Sequence, residues 1–191
     1  MISGTNRRWF LGGGLVLSAG ALLPRVARSR GLEAGQGAGA EGRLEELKLE
    51  LPSPPTPVAN YVPAVQVGNM LYVSGHGPRK SDGSFIQGKV GAELDLDAGH
   101  EAARITGLGV LSTVRHALGS LDRVVRLVRV SGMVNSTPDF DQHPRVINGF
   151  SDLMVEVFGE KAGKGARCAV GMGSLPFNIA VEIEAFFEVR T

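Results

Sequence analysis

Arg167-Cys-Ala-Val-Gly-Met-Gly-Ser-Leu-Pro-Phe-Asn-Ile-Ala-Val-Glu-Ile-Glu-Ala185 reads as two short strands around a turn. The strands predicted from it cover residues 167–173 and 179–189. Upstream, residues 124–134 are apolar and β-branched with Arg126 and Arg129 interspersed, which predicts another strand. Residues 64–66 and 70–74 flank Val67-Gly68-Asn69, and alternating apolar side chains around a Gly-Asn turn predict a hairpin. Two helical patterns lie between. One runs from Leu96-Asp97-Ala98 to about Leu118, with Ala102, Ile105, Leu108, Val114 and Leu118 as its apolar stripe and Asp97 as its cap. Gly107, Gly109 and Gly119 weaken its propensity, so packing must hold it, or the glycines must admit close approach to a sheet. The other covers 144–158, with Val146, Ile147, Phe150, Leu153, Met154 and Val157 facing inward. The order ββ(β)αβαββ predicts an α+β sandwich with the helices on one face of the sheet.

The same stretch carries candidate chemistry. The planar fork of Arg167 matches a carboxylate through two parallel hydrogen bonds and stays charged at any working pH. The plain alternative is a structural ion pair at a subunit interface. Glu182 follows fifteen residues later and is suited to orient or deprotonate a water. It could equally be an exposed strand carboxylate, and Glu184 shares its strand parity and competes for the role. Alternation turns Cys168 away from Arg167, into the core, as a structural thiol.

This stretch resembles the signature of the RidA/YjgF family, the reactive enamine/imine deaminases also named L-PSP endoribonucleases. Three further blocks carry the resemblance. Tyr61-Val-Pro-Ala-Val-Gln-Val-Gly-Asn-Met-Leu-Tyr-Val-Ser-Gly-His-Gly-Pro78 is similar to the family's opening hairpin. Gly88-Lys-Val-Gly91 resembles its next Gly-x-x-Gly segment, and Asp139-Phe140 followed by Asn148 resembles its Asp-Phe turn and second helix. The blocks stand in family order from about residue 57 to residue 189. The resemblance implies a chorismate-mutase-like mixed sheet with two helices on one face, and a homotrimer with clefts between subunits. It implies hydrolysis of 2-imino or enamine acids to 2-oxo acids and ammonia, with no cofactor and no metal. It assigns Arg167 to the substrate carboxylate and Glu182 to the hydrolytic water or the imine nitrogen, with Tyr61, Ser74 and Asn148 as substrate-binding residues. Each of the last three has a plain alternative: an interface aromatic, a turn cap and a helix-surface amide. His76 stands where the family carries another polar residue, and either tunes substrate choice or sits at the rim. Ala169 stands where many members carry a cysteine, which leaves Cys168 structural.

Composition narrows the rivals. The 191 residues suffice for one domain with a core. One cysteine excludes an intrachain disulfide, and the spacing of His76, His100, His116 and His143 argues against a dedicated zinc site. Of 20 Lys and Arg and 19 Asp and Glu, residues 1–40 hold five and one, which leaves 15 and 18 in 41–191. A slightly acidic domain is a poor binder of phosphate backbones, so no nucleic-acid partner is expected and ribonuclease activity is the weaker alternative. A non-catalytic periplasmic module that binds small carboxylates at the same cleft is the main rival to the deaminase.

Residues 1–40 predict an export signal followed by a linker. Arg7-Arg8-Trp9-Phe10-Leu11 precedes an uncharged run from 12 to 23. As a helix that run spans about 18 Å, short of a bilayer core of about 30 Å, so a signal peptide of the twin-arginine kind fits better than a lasting anchor. A periplasmic or exported protein follows. A basic extension from a misplaced start codon is the other reading and leaves the protein cytoplasmic. Residues 31–42 are rich in Gly and Ala and predict a linker. Residues 41–56 comprise a short helix at 43–50 and a proline-rich lead-in, and 57–191 form the RidA-like domain.

Overall fold

The computed structural model describes residues 39–54, 56 and 59–191. The expected signal and all but the last residues of the expected linker lie outside them. Ala40 already opens helix α1 (Ala40–Glu46), three residues before the helix predicted there. Side-chain contacts decide this. Leu44 is buried, and the Glu41 carboxylate accepts hydrogen bonds from Arg115 and from the Leu121 amide.

Strands β1 (Ala64–Val67) and β2 (Met70–His76) form the predicted hairpin, with Gly68 at φ +58° in the turn. Helix α2 (Leu96–Leu118), β3 (Val124–Asn135), helix α3 (His143–Gly163), β4 (Ala166–Met172) and β5 (Val181–Val189) follow. The sheet order is β1-β2-β5-β3-β4. Only the β3–β4 pair is parallel, joined by the α3 crossover, so the sheet is mixed. Gly88-Lys-Val-Gly91 forms no strand and makes only isolated bridges, through Val90 to Leu94 and Ser136.

Alternation along β5 sorts the sheet into two faces. Val181, Ile183, Ala185, Phe187 and Val189 are buried beneath α2 and α3, while Glu182, Glu184, Phe186 and Glu188 line the other face. That second face is substantially apolar. Tyr72 packs on Phe186 with ring centroids 5.0 Å apart, and Val65, Val125 and Val170 are exposed beside them.

Two details of α2 differ from the sequence reading. Asp95, not Asp97, caps it: its backbone is extended and its carboxylate accepts the Ala98 amide at 2.8 Å. The buried stripe runs through Ala103, Thr106, Gly107, Val110 and Val114, leaving Ile105 and Leu108 only partly covered. The rotation arises because the close approach is to α3 rather than to the sheet. A Cβ on Gly107 would lie 2.8 Å from Leu153, and one on Gly149 of α3 would collide with the His100 carbonyl oxygen. Helix α3 covers its predicted span and breaks at Gly159, which has φ +78°.

Helix propensity and packing therefore predict opposite signs at two glycines. Gly149→Ala should destabilise the fold by about 1–3 kcal/mol through overpacking. Gly109→Ala meets nothing nearer than His76 at 3.8 Å and should stabilise it by about 0.5–1 kcal/mol. Urea unfolding of both variants checks this; two variants of the same sign would contradict the helix contact.

Candidate functional site

Arg167 sits on the edge strand β4, in register with Val130, whose side chain is on the helix-covered face. Its side chain therefore turns toward α3, where Nη1 donates to Asn148 Oδ1 at 2.9 Å and to Ser151 Oγ at 3.0 Å. Those bonds occupy both hydrogens of Nη1. The Nε–Nη2 edge, the one that grips a carboxylate in bidentate fashion, makes no hydrogen bond among the described residues. No carboxylate lies within ion-pair distance of Arg167 among the described residues. Asn148 thus orients the arginine. Ser151 does the same and was missed in the sequence, although its i+3 spacing from Asn148 puts both on one face of α3.

Glu182 lies on the opposite face of the sheet, in register with Met133. Its carboxylate rests over Gly75 of β2, where any Cβ would collide with Oε1. Half-buried there, it is pushed above the usual carboxylate range, first by desolvation and then by the negative charge of Glu184. Ser74, next to Gly75, donates through Oγ to the Val62 carbonyl at 2.8 Å, so the chain just after Tyr61 is fastened to β2. Tyr61 itself is 48 % exposed.

The candidates therefore fall into two groups. Tyr61, Ser74 and Glu182 belong to the β1-β2-β5 half of the sheet. Arg167, Asn148 and Ser151 belong to β4 and α3. Strand β3 separates β4 from β5, which puts their axes about 10 Å apart, and the side chains project from opposite faces. A single protomer does not bring Arg167 and Glu182 to one small molecule.

His76 is neither a rim residue nor a free polar group. It is 8 % exposed, with Nδ1 2.7 Å from the Ser74 carbonyl oxygen and Nε2 2.8 Å from Thr113 Oγ1. The carbonyl can only accept, so Nδ1 donates and the Thr113 hydroxyl donates to Nε2. Burial lowers the pKa of this imidazole and keeps it neutral, a strut between α2 and the bulge of β2 that holds Gly75. Cys168 does turn away from Arg167, but toward the open face beside Ser131, where it is partly exposed rather than in the core. Among the described residues no cluster of His, Cys, Asp and Glu could hold a metal ion.

The model of the family described as "YjgF/chorismate_mutase-like, putative endoribonuclease" matches residues 41–189. Protein TCP17 of Trypanosoma cruzi is 45 % identical over 147 residues, spanning 77 % of this chain and 92 % of that protein. The crystal structure of Atu1372 from Agrobacterium tumefaciens, a protein of unknown function, is 42 % identical with a TM-score of 0.72, covering 79 % of this chain and 94 % of that one. That of "a putative endoribonuclease" from Shewanella oneidensis MR-1 is 31 % identical with a TM-score of 0.76, covering 80 % and 100 %.

A raised pKa means that folded Glu182 holds its proton more tightly than the unfolded chain does. That contribution to stability is full below the ordinary value of 4.5 and is lost as pH rises through the raised one. Glu182→Gln cannot ionise, so it should melt above the wild type at pH 7 and lose that advantage at pH 4. Thermal unfolding at the two pH values measures it; an advantage of the same size at both would mean that ionisation is not its source.

Proposed function

This chain belongs to the RidA/YjgF family, and on that premise we propose that it hydrolyses 2-imino or enamine acids to 2-oxo acids and ammonia. The observation that carries the reading is the open Nε–Nη2 edge of Arg167, steadied from behind by Asn148 and Ser151. That edge takes the substrate carboxylate. A water held by Glu182 adds to the C=N carbon, the nitrogen collects protons, and ammonia leaves as the C=O forms. A carboxylate with a raised pKa is suited to exchanging a proton with that water near neutral pH. Such imines also hydrolyse without a catalyst, so positioning and charge stabilisation suffice, and no cofactor or metal enters.

The separation of Arg167 from Glu182 supports a site shared between copies. β1 and β4 are the two edges of the sheet, so a contact that joins them is head-to-tail and closes as a ring, here a homotrimer. The exposed apolar side chains of the open face are consistent with burial in such an assembly. Tyr61, Ser74 and Glu182 of one copy would then face Arg167 and Asn148 of the next. The arginine pair and uncharged run of residues 7–23 support export to the periplasm by the twin-arginine route.

One observation favours a second reading, a non-catalytic module that binds small carboxylates. The arginine clamp is complete in one copy, whereas Glu182 is remote from it. The acidic balance of 41–191 disfavours a third, ribonuclease activity.

Ammonia release from an enzymatically generated imino acid tests the proposal on the full chain. Arg167→Ala should lose about 2–4 kcal/mol of transition-state stabilisation, roughly 30- to 1,000-fold in rate, while remaining folded. Arg167→Lys should recover little, since a point charge lacks the fork. Ser151→Ala should cost about 0.5–1.5 kcal/mol. Full activity in Arg167→Ala would overturn the mechanism. Absence of ammonia release from a wild type that still binds 2-oxo acids through Arg167 would favour the binding module.

A shared site also makes two inactive variants complement each other. Coexpressed Arg167→Ala and Glu182→Gln chains should recover part of the wild-type rate in mixed oligomers. No recovery, or sedimentation of the wild type as a clean monomer, would argue against sites between copies.

A further inference from the structure

Arg167 forms one wall of an open-sided cleft of about 260 Å³ between α3 and the edge of the sheet. The cleft does not belong to the Glu182 half of the molecule. Its floor is made by Leu127 and Val130 of β3, and Val155 of α3 forms a further wall. Leu127 and Val130 belong to the main core. Ser151, which steadies the arginine, lies on the lining as well.

Gly165 keeps this space open. A Cβ there would lie 2.9 Å from Leu127 Cγ and 3.1 Å from the Leu127 carbonyl oxygen, so a side chain would both strain the turn and crowd the floor. Charge on the lining is unevenly committed. Lys164 pairs with Glu160 one helical turn away, whereas Arg167 has no carboxylate partner among the described residues. The cleft therefore offers one uncommitted guanidinium edge beside an apolar recess. This is the pattern of a site that fixes a ligand by one polar group and selects it by an apolar one.

We propose that the cleft is the side-chain subsite of the acid held by Arg167, and that it selects 2-imino and 2-oxo acids with branched aliphatic side chains over those with a methyl group. The inference rests on the reading of Arg167 as a carboxylate clamp and adds the identity of the group next to that carboxylate. An isobutyl group covers Leu127, Val130 and Val155 and displaces water from them. A methyl group leaves most of that surface wet. Each additional buried methylene strengthens binding about fourfold, so the three extra carbons of an isobutyl group should give a preference of about 10- to 100-fold.

Calorimetry on the full-length protein with two 2-oxo acids as probes, pyruvate and 4-methyl-2-oxopentanoate, tests this without requiring turnover. The wild type should bind the isobutyl acid about 10- to 100-fold more tightly. Val155→Phe narrows the cleft and should reduce the ratio of the two dissociation constants to below about threefold. Val155→Ala widens it and should improve the relative affinity for phenylpyruvate, which keeps the question decidable if the phenylalanine variant does not fold. Equal wild-type affinity for the two acids, or a ratio untouched by both Val155 variants, overturns the subsite. Arg167→Ala separates the two ideas. If it loses both acids while the wild type does not discriminate, the clamp stands and the subsite falls. If it binds both acids as well as the wild type, the clamp reading fails and the subsite fails with it.

Discussion

Strand β5 occupies the centre of the sheet, and its alternation is the constraint on which the remaining structure depends. Five apolar side chains on one face are buried beneath the helices, and the other face carries Glu182, Glu184, Phe186 and Glu188. A slip of one residue in pairing would carry three carboxylates under α2 and α3 and expose Ile183 and Phe187. Burying an unpaired carboxylate costs far more than a strand of this length can return, so the register is pinned. The pairing of β5 with β2 on one side and β3 on the other then fixes the rest of the sheet.

The same constraint keeps acid and arginine apart. Parity assigns Glu182 to the open face, and the parallel pairing of β4 with β3 assigns Arg167 to the helix side. Glu182 is held in an unfavourable setting, half-buried beside a like charge, because Gly75 has no side chain to exclude it. Sites that keep a destabilised group are commonly those that use it. Arg167 is the complementary case, an exposed cation whose stem and one nitrogen are fixed while its other edge is left for a ligand.

The helix layer governs how well the arginine is fixed. Gly149 lets α3 press against the His100 carbonyl of α2, and Asn148 is its immediate neighbour. Rotation of α3 about that contact would move Asn148 and Ser151 together relative to β4. A packing contact on one side of the helix thus sets hydrogen-bond geometry on the other. His76 has a similar role on β2, tying the bulge that carries Gly75 to Thr113 of α2. The two helices that cover the core therefore brace both halves of the candidate site.

Periodicity alone located the five strands and the two long helices, because each buries one face and so repeats its apolar residues at two or at 3.6. It also identified Arg167 and Glu182, since their chemistry and spacing lie within one contiguous stretch. It missed the cap at Asp95, the rotation of the α2 stripe and the start of α1 at Ala40, because these depend on which helix meets which and on the grip of Arg115 on Glu41. It missed Ser151 because a serine on a helix gives no sign of the strand that will pass it. Cys168 was assigned to the core because alternation gives a side chain's face but not what covers that face. The segregation of Arg167 from Glu182 was likewise out of reach. Fifteen residues of separation read as proximity along the chain, but β5 pairs between β2 and β3 rather than beside β4, and strand order is set by tertiary pairing that no local pattern encodes.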